Sequence, residues 1–344
     1  MSTSNFLSAR RLGRNGPIVP RLGFGLMGSS GVYGRPAGDK ERLRFLDQAY
    51  ERGERFWDTA DKYGDSEDLL SQWFAANPEK RKKIVLATKF GIKTTAGIPG
   101  FSVDSTPEYC RQAIEKSLER LGLPFVDVYY VHRLDKITPI EKTMEAMVEL
   151  KTAGRIKHIG LSECSAESLR RACVVHPVTC VQVEYSLFCR DIESPQTQLL
   201  EVARELGVAI VAYSRLGNGL LGGAIRSRED VTKPNDSRWA LPWLSEANIH
   251  QNLVVLDKIS QFAQSMSLTP AQLALAWLLA QGDDIFPIPG TSNIHRLEEN
   301  LRSLSVSLSN RDEQVLREAS EGIVGGRFQA RTGYDFANTP RLDS

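Results

Sequence analysis

Phe56-Trp57-Asp58-Thr59-Ala60-Asp61-Lys62-Tyr63-Gly64 begins as the end of an apolar strand and breaks into a polar turn. It sets a carboxylate, an ammonium and a phenol within a few residues of each other. A phenol has an unperturbed pKa of about 10. Beside cations its ionised form is favoured and its pKa falls, so Tyr63 can serve as a general acid. Taken alone, the stretch is better explained as a strand end running into a solvated turn. Its weight comes from recurrence, because polar residues close several other strand-like runs of the chain.

Those runs are 21–25, 54–58, 84–89, 126–132, 156–162, 180–185, 208–214 and 284–289. Helical patterns alternate with them: 39–52 closed by Gly53, 66–76 stopped by Pro78, 105–122, 139–151, 166–173, 195–206, 249–265, 270–281, 293–304 and 310–321. Ser105 is expected to cap its helix, with Pro107 in the first turn and Glu108 completing a capping box. Continuous apolar strands imply burial on both faces and hence a parallel sheet. Eight strand–helix units in 344 residues point to an α/β (β/α)₈ barrel as a single domain spanning 1–344. The Asn15-Gly16 pair predicts a short N-terminal β-hairpin with a two-residue turn of positive φ. The long loop 217–248 and the tail 322–344 read as peripheral elements.

Composition narrows the function. Formal net charge is +1, with 41% hydrophobic and 25% charged residues, typical of a soluble globular enzyme. The near-neutral balance argues against nucleic acid as main partner. No apolar run is long enough to span a membrane, and no signal peptide is visible at residues 1–14. The five cysteines (Cys110, Cys164, Cys173, Cys180 and Cys189) match no zinc spacing and no disulfide framework. They read as reduced thiols of an intracellular protein, with the cytoplasm as expected location.

In a barrel the active site lies at the C-terminal strand ends. These carry Asp58 and Tyr63, Lys89, His132, Ser162 and Glu163, Gln182, and Tyr213 and Ser214. Each has an ordinary explanation by itself: a solvated charge, a satisfied core histidine, a turn cap, an aromatic at a strand end. Several on one face are harder to dismiss. Tyr63 would protonate a carbonyl oxygen and Lys89 would favour its phenolate. Asp58 would hold the ammonium, and His132 would orient the carbonyl. No metal site and no Gly-x-Ser-x-Gly elbow is present. An acid without a protein nucleophile calls for an external hydride, which a nicotinamide cofactor supplies.

Gly23-Phe24-Gly25-Leu26-Met27-Gly28 fits Gly-x-Gly-x-x-Gly, yet no helix opens at once and no acidic residue ends the next strand at the required distance. The glycines instead suit a loop that approaches a ligand closely. A better phosphate candidate is Ile288-Pro289-Gly290-Thr291-Ser292-Asn293-Ile294-His295-Arg296, where a strand end leads into a helix N-terminus and Arg296 can clamp an anion. A capped helix with an exposed Arg is the plain alternative. Ser214-Arg215-Leu216-Gly217-Asn218-Gly219 can fold over a pyrophosphate. Ser165 reads as an N-cap.

The combination resembles the aldo-keto reductase family. The likeness runs through 58–64, Lys89, Tyr129-Tyr130-Val131-His132-Arg133, Gly160-Leu161-Ser162-Glu163, 181–186, 211–214 and 288–291, covering about 11–321. It implies a (β/α)₈ barrel that binds NADP(H) without a Rossmann fold and reduces an aldehyde or ketone. It implies a catalytic set of Asp58, Tyr63, Lys89 and His132. Ser162 and Gln182 would bond the nicotinamide carboxamide, Tyr213 would stack on its ring, and Arg296 and Asn300 would hold the adenosine end. Gly25, Met27, Asp58, Ser214, Arg215, Leu216, Gly217, Gly219, Gly290, Ser292 and Glu299 complete the expected cofactor contacts. The nearest members look like pyridoxal reductase-like aldehyde reducers. This chain departs by carrying Glu163 where many members have Asn, Arg215 where many have Pro, and Gly290 where some have a Lys facing the 2′-phosphate. Potassium-channel β-subunits also resemble the family, so a cofactor-sensing binding protein is the alternative. A third reading makes Cys164 a thiol sensor.

Overall fold

The apolar runs pair side by side in chain order, as their burial on both faces demands. The computed structural model describes residues 8–31, 34–94, 100–214, 216–223, 225–231, 236–327 and 333–342. A hairpin of β1 (Ala9–Arg11) and β2 (Ile18–Pro20) comes first. The barrel strands β3 (Phe24–Gly25), β4 (Phe56–Asp58) and β5 (Val85–Phe90) follow. A small antiparallel ribbon, β6 (Ile92–Lys93) and β7 (Ser102–Val103), interrupts them. The remaining barrel strands are β8 (Val126–Val131), β9 (Ile156–Ser162), β10 (Cys180–Glu184), β11 (Ala209–Tyr213) and β12 (Ile285–Pro287). These eight form one parallel sheet in the order β12-β11-β10-β9-β8-β5-β4-β3.

The sheet closes where its outer strands meet. Gly23 N–H donates to Pro287 O at 2.9 Å and Gly25 N–H to Pro289 O at 3.2 Å. The two backbones touch here. A Cβ on Gly290 would stand 2.5 Å from Gly25 O, and one on Gly25 would stand 2.7 Å from Ile288 O. This contact, not a dinucleotide fingerprint, is what the first glycine pair serves.

Side chains alternate along a strand with period two. Phe56, Ala87, Val128, Tyr130, Cys180, Ala209, Val211 and Phe286 form the cluster inside the barrel. Gly160 completes that face, for a Cβ there would lie 2.5 Å from the Tyr130 ring. Counting two residues onward from 56, 87, 130, 160, 180 and 211 reaches Asp58, Lys89, His132, Ser162, Gln182 and Tyr213. The alternation therefore aims all six into the barrel mouth. Leu12 and Val19 of the hairpin join the interior cluster and plug the opposite end. The hairpin is as expected, but its turn is not. Residues 12–17 connect the strands, and positive φ falls on Gly13 (68°), not on Asn15 or Gly16. Gly16 is needed for space, since a Cβ would meet Leu12 O.

Helices sheathe the sheet: α1 (Asp39–Glu51), α2 (Ser66–Ala76), α3 (Pro78–Arg81), α4 (Pro107–Leu121), α5 (Ile140–Thr152), α6 (Ala166–Val175), α7 (Leu199–Leu206), α8 (Glu246–Ser265), α9 (Pro270–Ala280), α10 (Ile294–Arg302) and α11 (Asn310–Ser320). Pro78 opens the one-turn α3 in addition to ending α2. α4 is capped by Thr106, whose hydroxyl accepts Tyr109 N–H. Ser105 instead exchanges hydrogen bonds with Asp135. α7 starts four residues later than the pattern suggests, because Gln198 takes φ 50° and breaks the first turn. Short 3₁₀ turns, such as Pro242–Leu244, punctuate the long loop. Trp243 from that turn is 1% exposed and packs edge-on against Phe188. The Trp239 side chain lies outside the described residues.

Two stability outcomes follow. Gly290→Ala forces apart the seam that closes the barrel. Denaturant unfolding should show a loss of about 1–3 kcal/mol, the usual cost of overpacking. Glu54, just before β4, is fully buried, and neither carboxylate oxygen has a partner among the described residues. Burial raises its pKa to about 8. The folded chain thus binds a proton that the unfolded chain has released, and stability falls as pH rises from about 5 to 8. Glu54→Gln should flatten that part of the stability–pH curve.

Candidate active site

Lys89 stands at the centre of the barrel mouth with no solvent exposure. Its ammonium donates to Asp58 Oδ1 at 2.5 Å, to Thr59 O at 2.7 Å and to the Tyr63 hydroxyl at 3.3 Å. Three donors thus meet three acceptors, which is what a buried ammonium requires. Burial opposes the charge, but Asp58 and Tyr63 outweigh it and raise the Lys89 pKa. Asp58 is held from its other side, where the Gln182 amide donates to Oδ2 at 2.8 Å.

Tyr63 sits just past β4, and its backbone N–H bonds Ala60 O at 3.1 Å. Gly64 turns the chain with φ 52° beneath Ser30 O. Arg42 ties the same corner together, bonding Ser29 O and both oxygens of Asp65. The expected fall in the Tyr63 pKa is not what the surroundings produce. Burial raises it, and Lys89 only partly offsets that. The phenol is therefore firmly protonated before any substrate arrives.

His132 packs edge-on to Tyr63, ring centres 5.9 Å apart. Burial, Arg133, Lys89 and Lys62 all depress its pKa well below the ordinary value, so the imidazole is neutral. Its Nδ1 is buried without a partner among the described residues. Neighbouring Asp61 is the opposite case. Burial and the nearby Glu67 carboxyl raise it to about 7.

Arg133, directly after His132, has a role that the sequence pattern leaves unassigned. Its guanidinium reaches His132 O at 2.6 Å, the Ser162 hydroxyl at 3.1 Å and the Tyr213 hydroxyl at 3.5 Å. Tyr213 in turn donates to Glu163 Oε1 at 2.9 Å. Glu163 is fully engaged: Oε1 also accepts Glu184 N–H, and Oε2 pairs with Arg327 at 2.6 Å. No local pattern betrays Arg327, since it comes from the tail, far along the chain from Glu163.

The expected phosphate end lies around the barrel seam. Asn293 caps α10, and its Oδ1 accepts the N–H groups of both His295 and Arg296. Much of that helix terminus is therefore already satisfied, and Arg296 is a charge available to an anion there. Its guanidinium is exposed and has no partner among the described residues. Asn300 is 3% exposed on the buried side of α10, Glu299 is half-buried, and Ser292 is exposed. Gly25 and Gly290 adjoin this end through the closure contact, with Met27 just beyond in a short 3₁₀ turn. Leu216, Gly217 and Gly219 lie in the turn after β11, where Gly217 and Gly219 take φ 54° and 106°. Ser214, at φ 51°, bends the chain into it. Arg215 lies outside the described residues.

The cysteine reading does not survive. Cys164 is fully buried, and burial pushes its thiol far above the reactive range.

The sequence model of the Aldo/keto reductase family matches residues 21–321. The chain is 44% identical over 342 residues to aldo-keto reductase str7 of Strobilurus tenacellus, covering 98% of this chain and 99% of that one. It is 42% identical over 341 residues to aldo-keto reductase yakc [NADP(+)] of Schizosaccharomyces pombe, again covering 98% and 99%. The solved glycerol dehydrogenase AKR11B4 from Gluconobacter oxydans superposes with a TM-score of 0.80 at 25% identity, covering 92% of this chain and 95% of that one. With a closed eight-stranded barrel, a family match over most of its length and relatives above 40% identity, the chain belongs to the aldo/keto reductase family of oxidoreductases.

Proposed function

We propose that this protein reduces an aldehyde or ketone to the alcohol with NADPH, and that Tyr63 is the proton donor. The observation that carries this is the single buried ammonium of Lys89 shared between Asp58, Thr59 O and the Tyr63 hydroxyl. That arrangement has a chemical direction. When Tyr63 passes its proton to a carbonyl oxygen, the phenolate left behind is stabilised by a cation already in contact. Asp58 and Gln182 keep the cation in place, so no reorganisation is needed as charge develops. The neutral His132 ring can donate one N–H to the same carbonyl oxygen. Its lowered pKa matters here, because an imidazolium would compete with Tyr63 for the role of acid.

The residues present suit a nicotinamide dinucleotide. The seam at Gly25 and Gly290 has no side chains to obstruct a close approach. Ser162 and Gln182 lie at the mouth beside Asp58, and Tyr213 offers a half-buried ring. Arg296 supplies a free guanidinium at the other end, which favours a phosphorylated ribose, in keeping with the NADP(+) in the name of the yeast relative. When bound, the cofactor supplies a hydride to the carbonyl carbon. Tyr63 supplies the proton to the oxygen and recovers it from solvent.

Two variants test the assignment. Tyr63→Phe should lower kcat for aldehyde reduction by about 10²–10⁴, the usual worth of a general acid, while leaving the NADPH dissociation constant unchanged. Turnover near the wild-type rate would remove Tyr63 from the chemistry. Lys89→Met leaves Asp58 buried without its cation. It should cost about 3–5 kcal/mol of stability in urea unfolding and abolish turnover.

A further inference from the structure

Past α11 the chain runs back over the C-terminal face of the barrel. Arg327 is 3% exposed and sits between two buried carboxylates. It donates from Nη2 to Glu163 Oε2 at 2.6 Å and from Nε to Glu184 Oε2 at 3.3 Å. Its guanidinium lies 4.6 Å from the Phe336 ring centre. Farther along, Ala337 N–H donates to Glu163 O at 2.8 Å, and Ser165 N–H donates to Ala337 O at 3.0 Å. The tail thus grips the corner after β9 by both backbone and side chain.

That corner is unusual in itself. Glu163 adopts φ 53°, a region that non-glycine residues occupy only when their surroundings enforce it. Its side chain is also the acceptor for the Tyr213 hydroxyl. The connections form a chain: Arg327 fixes Glu163, and Glu163 fixes Tyr213. Burial works against the charge on both Glu163 and Arg327, and each overcomes it through the other.

We infer that Arg327 is a positioning residue for cofactor binding: it fixes Glu163, and through Glu163 it sets the ring of Tyr213 on which the nicotinamide rests. The inference rests on the cofactor reading above. Arg327 need not touch the cofactor. Without its cation, Glu163 would be left buried beside Glu184 and would take up a proton or swing away. Swinging away costs Tyr213 the acceptor that orients it, and protonation exchanges a charged acceptor for a weaker neutral one. The tail after α11 is then a working part of the cofactor site and not a loose end of the barrel.

The test is NADPH affinity, read by quenching of protein fluorescence, alongside steady-state rates and melting temperature. Arg327→Met should weaken NADPH binding by roughly tenfold, the worth of a charge-assisted hydrogen bond, and raise KM for the cofactor. With saturating NADPH, kcat should fall far less. Arg327→Lys, which keeps the charge, should recover most of the affinity. The double variant Glu163→Gln with Arg327→Met removes the buried charge yet keeps an acceptor for Tyr213, so it should also bind better than Arg327→Met alone. A lowered melting temperature with unchanged NADPH affinity in Arg327→Met would overturn the inference and leave Arg327 a mere clamp. If Arg327→Met does not fold, Tyr213→Phe decides. It keeps the ring and removes only the hydroxyl, and binding as tight as wild type would overturn the inference equally. Wild type that fails to bind NADPH at all would instead overturn the cofactor reading, and this inference with it.

Discussion

A lysine ammonium with no access to water is the constraint around which this barrel is arranged. Isolated, such a charge would give up its proton. Lys89 keeps it because three acceptors from one short segment, Asp58, Thr59 and Tyr63, close around it. That demands a strand ending at Asp58, a tight turn, and a neighbouring strand carrying Lys89 at matching height. The parallel pairing of β4 with β5, where Asp58 faces Ala87, provides this. Lys89 then reaches forward past its own neighbour. The same period-two alternation that fills the barrel with Phe56, Ala87 and Tyr130 delivers the polar set to its mouth.

The buried charges fall into two groups that work differently. Around Lys89, one cation serves one carboxylate and one neutral phenol, so the site stays balanced until the phenol loses its proton. Around Arg327, one cation serves two carboxylates, and the balance is tilted. There Glu163 remains ionised, while burial raises Glu184 to about 7 despite the help of Arg327. With these side chains cut off from bulk solvent, the placement of each cation is decisive. Arg133 lies between the groups, bonded to Ser162 and reaching Tyr213. It links the Tyr63 side of the mouth to the Tyr213 side.

Much of this was readable from the sequence because it depends on local rules. Strand runs ending in Asp58, Lys89, His132, Ser162 and Tyr213 announce a barrel, since alternation and strand order are short-range properties. Helix ends at Gly122 and at Asn293 follow from the residues themselves. The misreadings have equally physical causes. Asn15-Gly16 suggested a tight turn, but the hairpin must reach Thr179 and Gly207 under the barrel and takes a wider path. Ser105 was outcompeted as a cap by Thr106, one residue closer to the helix. The protonated state of Tyr63 depends on the depth of burial, which no spacing rule reports. Arg327 was invisible because nothing near it in sequence explains why a tail should carry a buried cation.

The seam between Gly25 and Gly290 has a bearing on how the molecule comes into being. The strands that meet there come from opposite ends of the fold, and each is only two or three residues long. A nascent chain can pair β3, β4, β5, β8, β9, β10 and β11 in order, each barrel strand docking on the one before it. It remains an open curved sheet, with an unpaired edge on either side, until nearly the whole sequence has been made. Closure is thus a late, long-range event with a large loop to gather in. An edge of bare backbone ending in glycines is both what lets the two sides meet so closely and what leaves the waiting intermediate exposed to the wrong partner.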